Sequence, residues 1–143
     1  MPMKEARGTV ALVCGDALDP PLCPGSFDRV VALNLIDSVR DPKGVLSVLD
    51  GLCRPGGGGE ILLSSPYSWH SAVLPEEARL PGSEPHRLVR DLLEKGVGLE
   101  VAYEITEEAD LPWWLRTDQR SAHHYQVHYL RARKTARLQK PAP

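Results

Sequence analysis

Residues 54–69, RPGGGGEILLSSPYSW, set four consecutive glycines between a helical pattern and an apolar strand pattern, and their order decides the fold. A phosphate cradle runs strand, glycine turn, helix, so that the free amides of the helix N-terminus converge on the anion. Here the helical pattern precedes the glycines and the strand follows them. The amides of residues 60–64 enter a sheet instead, and no G-x-x-x-x-G-K-[ST] occurs. The glycines therefore read as a tight helix-to-strand connector.

Upstream, Asp41-Pro42 supplies an N-cap followed by proline at the first helical position. Val45, Leu46, Val48, Leu49 and Leu52 then recur at helical spacing until Arg54-Pro55. Before that helix, residues 27–35 (FDRVVALNL) are near-continuously apolar, as in a strand covered on both faces. Residues 9–14 (TVALVC) form another candidate buried strand, ending at Gly15-Asp16. Residues 19–25 (DPPLCPG) are loop. Downstream, Pro85 opens a second helix with Leu88, Val89, Leu92 and Leu93 on one side, and Gly96 stands where a C-cap belongs. Residues 98–106 and 123–133 read as strands around an irregular stretch at 109–121. The order strand, strand, helix, strand, helix, strand, strand predicts one α/β domain over residues 1–135. Its sheet is expected to be mostly parallel with an antiparallel last strand, followed by a disordered basic tail at 136–143.

Length and composition bound the function. The 143 residues suffice for one core, and 42% hydrophobic with 25% charged residues is ordinary for a globular protein. A net charge of −2 gives no global pull toward nucleic acid or anionic membrane, so neither is expected as a partner. No apolar run approaches the roughly 20 residues needed to span a bilayer. Three cysteines without a C-x-x-C pair argue for a reducing, cytoplasmic setting and against a zinc knuckle. Cys14 and Cys53 read as buried small apolar residues, and Cys23 as exposed. His124 and His128 share a strand face but stand about 13 Å apart at ~3.3 Å per residue, too far for one metal ion, so no metal is expected. Arg131, Arg133, Lys134, Arg137 and Lys140 read as a solvated basic terminus.

GDALDPP after a strand, FDRVVALNLIDSV, a helix, RPGGGGEILLSSPY, a helix and two closing strands together resemble the C-terminal portion of a class I S-adenosylmethionine-dependent methyltransferase, from its third strand onward. ALNLIDSVRDP (32–42), LLSSPYSWHSAVLP (62–75) and ADLPWWLRTDQRSAHHYQV (109–127) are most similar to the mercaptohistidine N-methyltransferase type of ovothiol biosynthesis. The resemblance implies an incomplete Rossmann-like sheet without the strands that carry the family's glycine motif and ribose-binding acid. A partner chain could then cover the exposed sheet edge. It also implies S-adenosylmethionine as cofactor, with weak or absent binding expected without the glycine motif, and a small-molecule, histidine-derived acceptor.

On that footing Asp16 accepts a hydrogen bond from the adenine amino group and Ala17 offers its backbone. Asn34 and Leu35 lie where cofactor and acceptor meet, and Ser65, Pro66 and Tyr67 line the acceptor side. Trp69, Trp113 and Trp114 are either an aromatic wall for the acceptor or loop packing. Arg116 either pairs with an acceptor carboxylate or makes a surface ion pair. Because the sulfonium methyl is already activated, catalysis requires positioning and water exclusion, and no general base is singled out. The alternative is a non-catalytic methyltransferase-like binding or scaffold module.

Overall fold

The computed structural model describes residues 8–136. All but the first residue of the expected tail lies outside them. Four strands, β1 (Arg29–Leu33), β2 (Glu60–Ser65), β3 (Tyr103–Arg116) and β4 (Ala122–Lys134), form one sheet in the order β1-β2-β4-β3. Helices α1 (Pro42–Leu52) and α2 (Pro85–Lys95) join them. The class is α/β, but the sheet is mixed: β1 and β2 pair in parallel, while β4 runs antiparallel to both β2 and β3.

The helices begin and end where local chemistry directs. The Asp41 carboxylate accepts from the Gly44 N–H at 2.8 Å and Pro42 has no N–H to satisfy, so the first turn of α1 leaves fewer orphaned donors. Its Val45, Leu46, Leu49 and Leu52 are buried. The glycines after it make the turn into β2, with Gly56 and Gly57 at φ +82° and +85°, a region that other residues rarely adopt. Helix α2 opens at Pro85 and closes on Gly96 in the left-handed conformation. Both helices and the sheet share one core, in which Ile36, Val45, Leu46, Ile61, Leu63, Val89, Leu93 and Leu130 are essentially inaccessible to solvent.

Four expectations are corrected. Residues 9–14 form no strand: Val10 and Leu12 are 84% and 95% exposed and Cys14 is exposed too. A β-prone segment forms a strand only when another strand accepts its backbone hydrogen bonds. None pairs with it, and the outer edge of β1 is also unpaired among the described residues. The stretch at 109–121 is not irregular, because 109–116 continue β3 into a long hairpin with β4. Pro112 is tolerated because β3 is an edge strand, where a missing N–H need not break a ladder. The parallel character is confined to one pair, as stated above. Finally, Arg131 and Lys134 are no solvated tail: Arg131 bonds Glu60 across the sheet, and Lys134 is buried.

Lys134 anchors the pole at the amino end of β2. Its ammonium lies 2.9 Å from the Asp50 carboxylate, which also accepts from Tyr103 O–H at 2.7 Å and Glu100 N–H at 2.6 Å. Burial alone would lower the Lys134 pKa, but the Asp50 and Glu100 carboxylates outweigh it and hold the ammonium above the usual lysine range. No helix among the described residues is long and apolar enough to cross a membrane.

Candidate functional site

The opposite pole, beyond the carboxyl ends of β1 and β2, gathers polar groups that the sheet itself does not require. Open α/β sheets place ligands at this end of their strands. Asn34 follows β1 and Tyr67 follows β2, and they are the two non-glycine residues with positive φ among the described residues, at +52° and +50°. Each is held by its neighbours. The Asn34 N–H donates to Ser64 O at 2.7 Å, and the Ser64 hydroxyl donates to Asn34 Oδ1 at 3.1 Å. The Tyr67 N–H donates to Ser65 Oγ at 3.0 Å, and the next amide, Ser68 N–H, donates to Asp37 Oδ2 at 2.9 Å. Burial raises the Asp37 pKa above the usual carboxylate range, although hydrogen bonds from the Ser68 amide, its own amide and the Ser65 and Ser38 hydroxyls oppose the shift.

Tyr67 leads into a buried relay. Its hydroxyl lies 3.1 Å from Nδ1 of His128, a ring that is 5% exposed. His128 Nε2 lies 2.9 Å from Glu108 Oε1, and Arg90 binds the other Glu108 oxygen at 3.0 Å. A carboxylate can only accept, so the arrangement assigns the His128 proton to Nε2 and leaves the Nδ1 lone pair to accept from the Tyr67 O–H. Burial first, then the Asp37 and Glu108 carboxylates, push the Tyr67 pKa far above that of an ordinary phenol, so its hydroxyl stays protonated. His86, in the first turn of α2, meets His128 edge-on with ring centroids 5.6 Å apart.

A β-bulge makes this possible. Ile105 pairs with Ala132 but Glu107 pairs with Arg131, so Thr106 is the extra residue in β3. An extra residue exchanges the two faces of a strand beyond it. Before the bulge Tyr103 and Ile105 face the helices; after it Glu108 and Asp110 stand opposite Leu130 and His128. Were Thr106 paired regularly instead of bulged, Glu108 would stand opposite Tyr129 and point away from His128.

Over the relay lies a cleft of about 400 Å³, lined by Pro66, Tyr67, Pro85, His86, Asp110 and Gln126. Its volume falls at the lower end of small-molecule sites. Among the described residues no group of three or more His, Cys, Asp or Glu side chains converges as a metal site would need.

The residues singled out in the sequence divide into three sets. Asn34, Ser65, Pro66 and Tyr67 converge at the rim of this pole, and Leu35 packs beneath them against the core. Trp69 packs on Tyr67 with ring centroids 6.2 Å apart. Asp16 and Ala17 occupy a separate turn, in which Asp16 Oδ1 accepts from Leu18 N–H at 2.9 Å and Oδ2 pairs with Arg40 at 3.0 Å. Ala17 packs against the core. Arg116 is not brought to the cleft. It sits near the hairpin tip, bonding Gln119 O at 3.3 Å, six residues along β3 from Asp110 and hence about 20 Å away at ~3.3 Å per residue. Trp113 and Trp114 lie on the same arm, against Tyr125 and His124. Sequence reasoning missed Asp37, His86, Glu108 and His128. Strand alternation of His128 with Leu130 and Ala132 marks it as inward-facing, but nothing in the sequence shows its partners.

Residues 2–58 match a family model described as a methyltransferase domain. A 16S rRNA (adenine(1408)-N(1))-methyltransferase variant from Catenulisporales acidiphilia, solved with cosubstrate SAM, superposes with a TM-score of 0.53 at 22% identity, covering 88% of this chain and 61% of that one. The fold is a methyltransferase fold. A second structure, concerned with the conversion of a disulfide bond into a thioacetal group during echinomycin biosynthesis, gives a TM-score of 0.55 at 19% identity over 85% of this chain and 55% of that one. The chain thus spans somewhat over half the length of these two structures. No curated protein matches the sequence.

Proposed function

We propose that this chain is an S-adenosylmethionine-dependent methyltransferase-like domain, cytoplasmic, acting on a small-molecule acceptor of the histidine-derived kind handled by mercaptohistidine N-methyltransferases. The matched methyltransferase domain and the methyltransferase fold support the reaction class. The observation that carries the reading is the strained pair Asn34 and Tyr67. Two non-glycine residues in the left-handed region, at the carboxyl ends of adjacent parallel strands, each cost about 1–3 kcal/mol and persist where surrounding contacts and function require them.

The residues present fit the cofactor's adenine end. Asp16 offers a half-exposed carboxylate, and its Arg40 partner is an exposed ion pair worth no more than about 1 kcal/mol, which an adenine amino group can displace. Asp16 and Ala17 would hold the adenine, and Asn34 and Leu35 would flank the reacting centre. When bound, the cofactor supplies an activated methyl group. Ser65, Pro66, Tyr67 and Trp69 would hold the acceptor in line with it and exclude water.

A second reading, a non-catalytic binding module, draws support from the open side of β1. Val31 and Leu33 there are 53% and 63% exposed beside a strand edge that is unpaired among the described residues and that a partner chain could cover. Transfer of labelled methyl from S-adenosylmethionine to histidine-derived acceptors separates the two. Turnover by the purified chain, abolished in Tyr67→Ala, supports the enzyme; no transfer to any acceptor tested, with the cofactor bound, supports the module.

A further inference from the structure

We infer that the Tyr67–His128–Glu108 chain is the proton acceptor for a small N–H acceptor, an amine or azole, held in the cleft that Tyr67, His86 and Asp110 line. This deepens the methyl-transfer reading and rests on it.

The geometry has a direction. His128 Nε2–H is fixed by Glu108, so Nδ1 can only accept, and the Tyr67 proton points toward it. The Tyr67 oxygen lone pairs remain free to receive a hydrogen bond, and Tyr67 itself lines the cleft. A neutral phenol is suited to this place because it accepts one proton while giving up another and needs no charge of its own. Glu108 is in turn oriented by Arg90 at 3.0 Å, and Arg90 is shared with Glu94 at 3.3 Å. A base, the group that orients it and a conduit in hydrogen-bond contact are the arrangement that general-base chemistry needs.

The cleft selects the class of acceptor. Asp110 places a carboxylate in its wall, His86 and Tyr67 supply ring faces, and Gln126 a neutral amide. Among the described residues no lysine or arginine lines it. An anion would meet an unmatched carboxylate there, whereas the N–H of an amine or an azole meets acceptors. In the transfer step the lone pair of a neutral amine nitrogen, or of the azole's unprotonated ring nitrogen, forms a bond to the methyl carbon as the carbon–sulfur bond breaks, leaving a neutral thioether and a methylated, cationic acceptor that sheds its N–H proton. The N–H proton passes to Tyr67 Oη, the Tyr67 proton passes to His128 Nδ1, and the imidazolium formed pairs with Glu108. Tyr67 is the catalytic residue; His128 and Glu108 act through it.

The test needs no turnover, so it stands apart from the test of methyl transfer. Long-range proton–nitrogen NMR of the full chain, with His128 assigned through His128→Asn, reads the tautomer. A proton on Nε2 is expected; a proton on Nδ1 overturns the relay. Imidazole, titrated as the probe, should saturably shift the signals of Tyr67, His86 and Gln126. Tyr67→Phe, which keeps the ring and removes the hydroxyl, should weaken that binding about five- to tenfold, the loss of one hydrogen bond. Unchanged affinity, or shifts centred elsewhere, would overturn the assignment. Glu108→Gln supplies the second variant. Its amide can point an N–H at His128 Nε2, so the ring proton is expected to move to Nδ1 and imidazole binding to weaken as in Tyr67→Phe. A tautomer indifferent to this change counts against the relay.

Discussion

Replacing Lys134 by methionine separates the scaffold from the site. Lys134 and Asp50 are 2% and 1% exposed, and their 2.9 Å contact sits among Tyr103 O–H, Glu100 N–H and the carbonyls of Asp50 and Cys53. Methionine fills most of the stem's volume but leaves the Asp50 charge without its counter-ion. Breaking a buried pair on one side costs about 3–5 kcal/mol, because the remaining charge stays desolvated. That is a fifth or more of the roughly 5–15 kcal/mol that separates native from unfolded domains. For 143 residues the entropy of unfolding is about 0.3 kcal/mol per kelvin, so Tm should fall by about 10–17 °C. The double variant Lys134→Met with Asp50→Asn removes the stranded charge and keeps an acceptor for Tyr103, so it should regain at least about half of the loss. Urea denaturation gives both values. Cofactor and probe affinities of the folded protein should not change, because the cluster lies at the other end of β2. A single variant within about 1 kcal/mol of wild type, or a double variant no better than the single, would refute the reasoning.

Asp37→Asn should change the pH dependence of stability. Burial raises the folded pKa of Asp37 above the ordinary value of about 3.9, so the folded state holds its proton to higher pH than the unfolded state. Wild-type stability from this group therefore falls as pH rises through that window, and the variant, which lacks the proton, should gain relative to wild type between pH 4 and pH 7; a difference independent of pH would contradict this. Gly96→Ala should cost more than about 1 kcal/mol, since φ is +66° and the new Cβ would lie 2.9 Å from Ala102 N and 3.0 Å from the Val101 carbonyl carbon, both backbone. The urea midpoint should drop at unchanged m.

Both helices were legible because their signals are local. Asp41-Pro42 and Pro85…Gly96 each carry the chemistry of a helix end within a few residues, and the glycine run is a connector wherever the chain folds. Residues 9–14 were misread because their apolar, β-branched character reports a preference, whereas a strand requires a neighbour that local sequence does not name. The hairpin was missed for the converse reason: Pro112 speaks against a strand unless the strand is known to be an edge. At the site, Ser65-Pro66-Tyr67 could be placed because it directly follows β2. The relay could not, since it joins residues 20 and 61 positions apart and depends on one bulge at Thr106.

Calorimetric titration of S-adenosylmethionine into the full chain and its Asp16→Ala variant tests the central claim most directly. Saturable binding by the wild type is expected, weakened roughly tenfold or more in the variant through loss of a hydrogen bond to a charged group. No heat of binding at millimolar cofactor, or equal affinity of the two proteins, would contradict it.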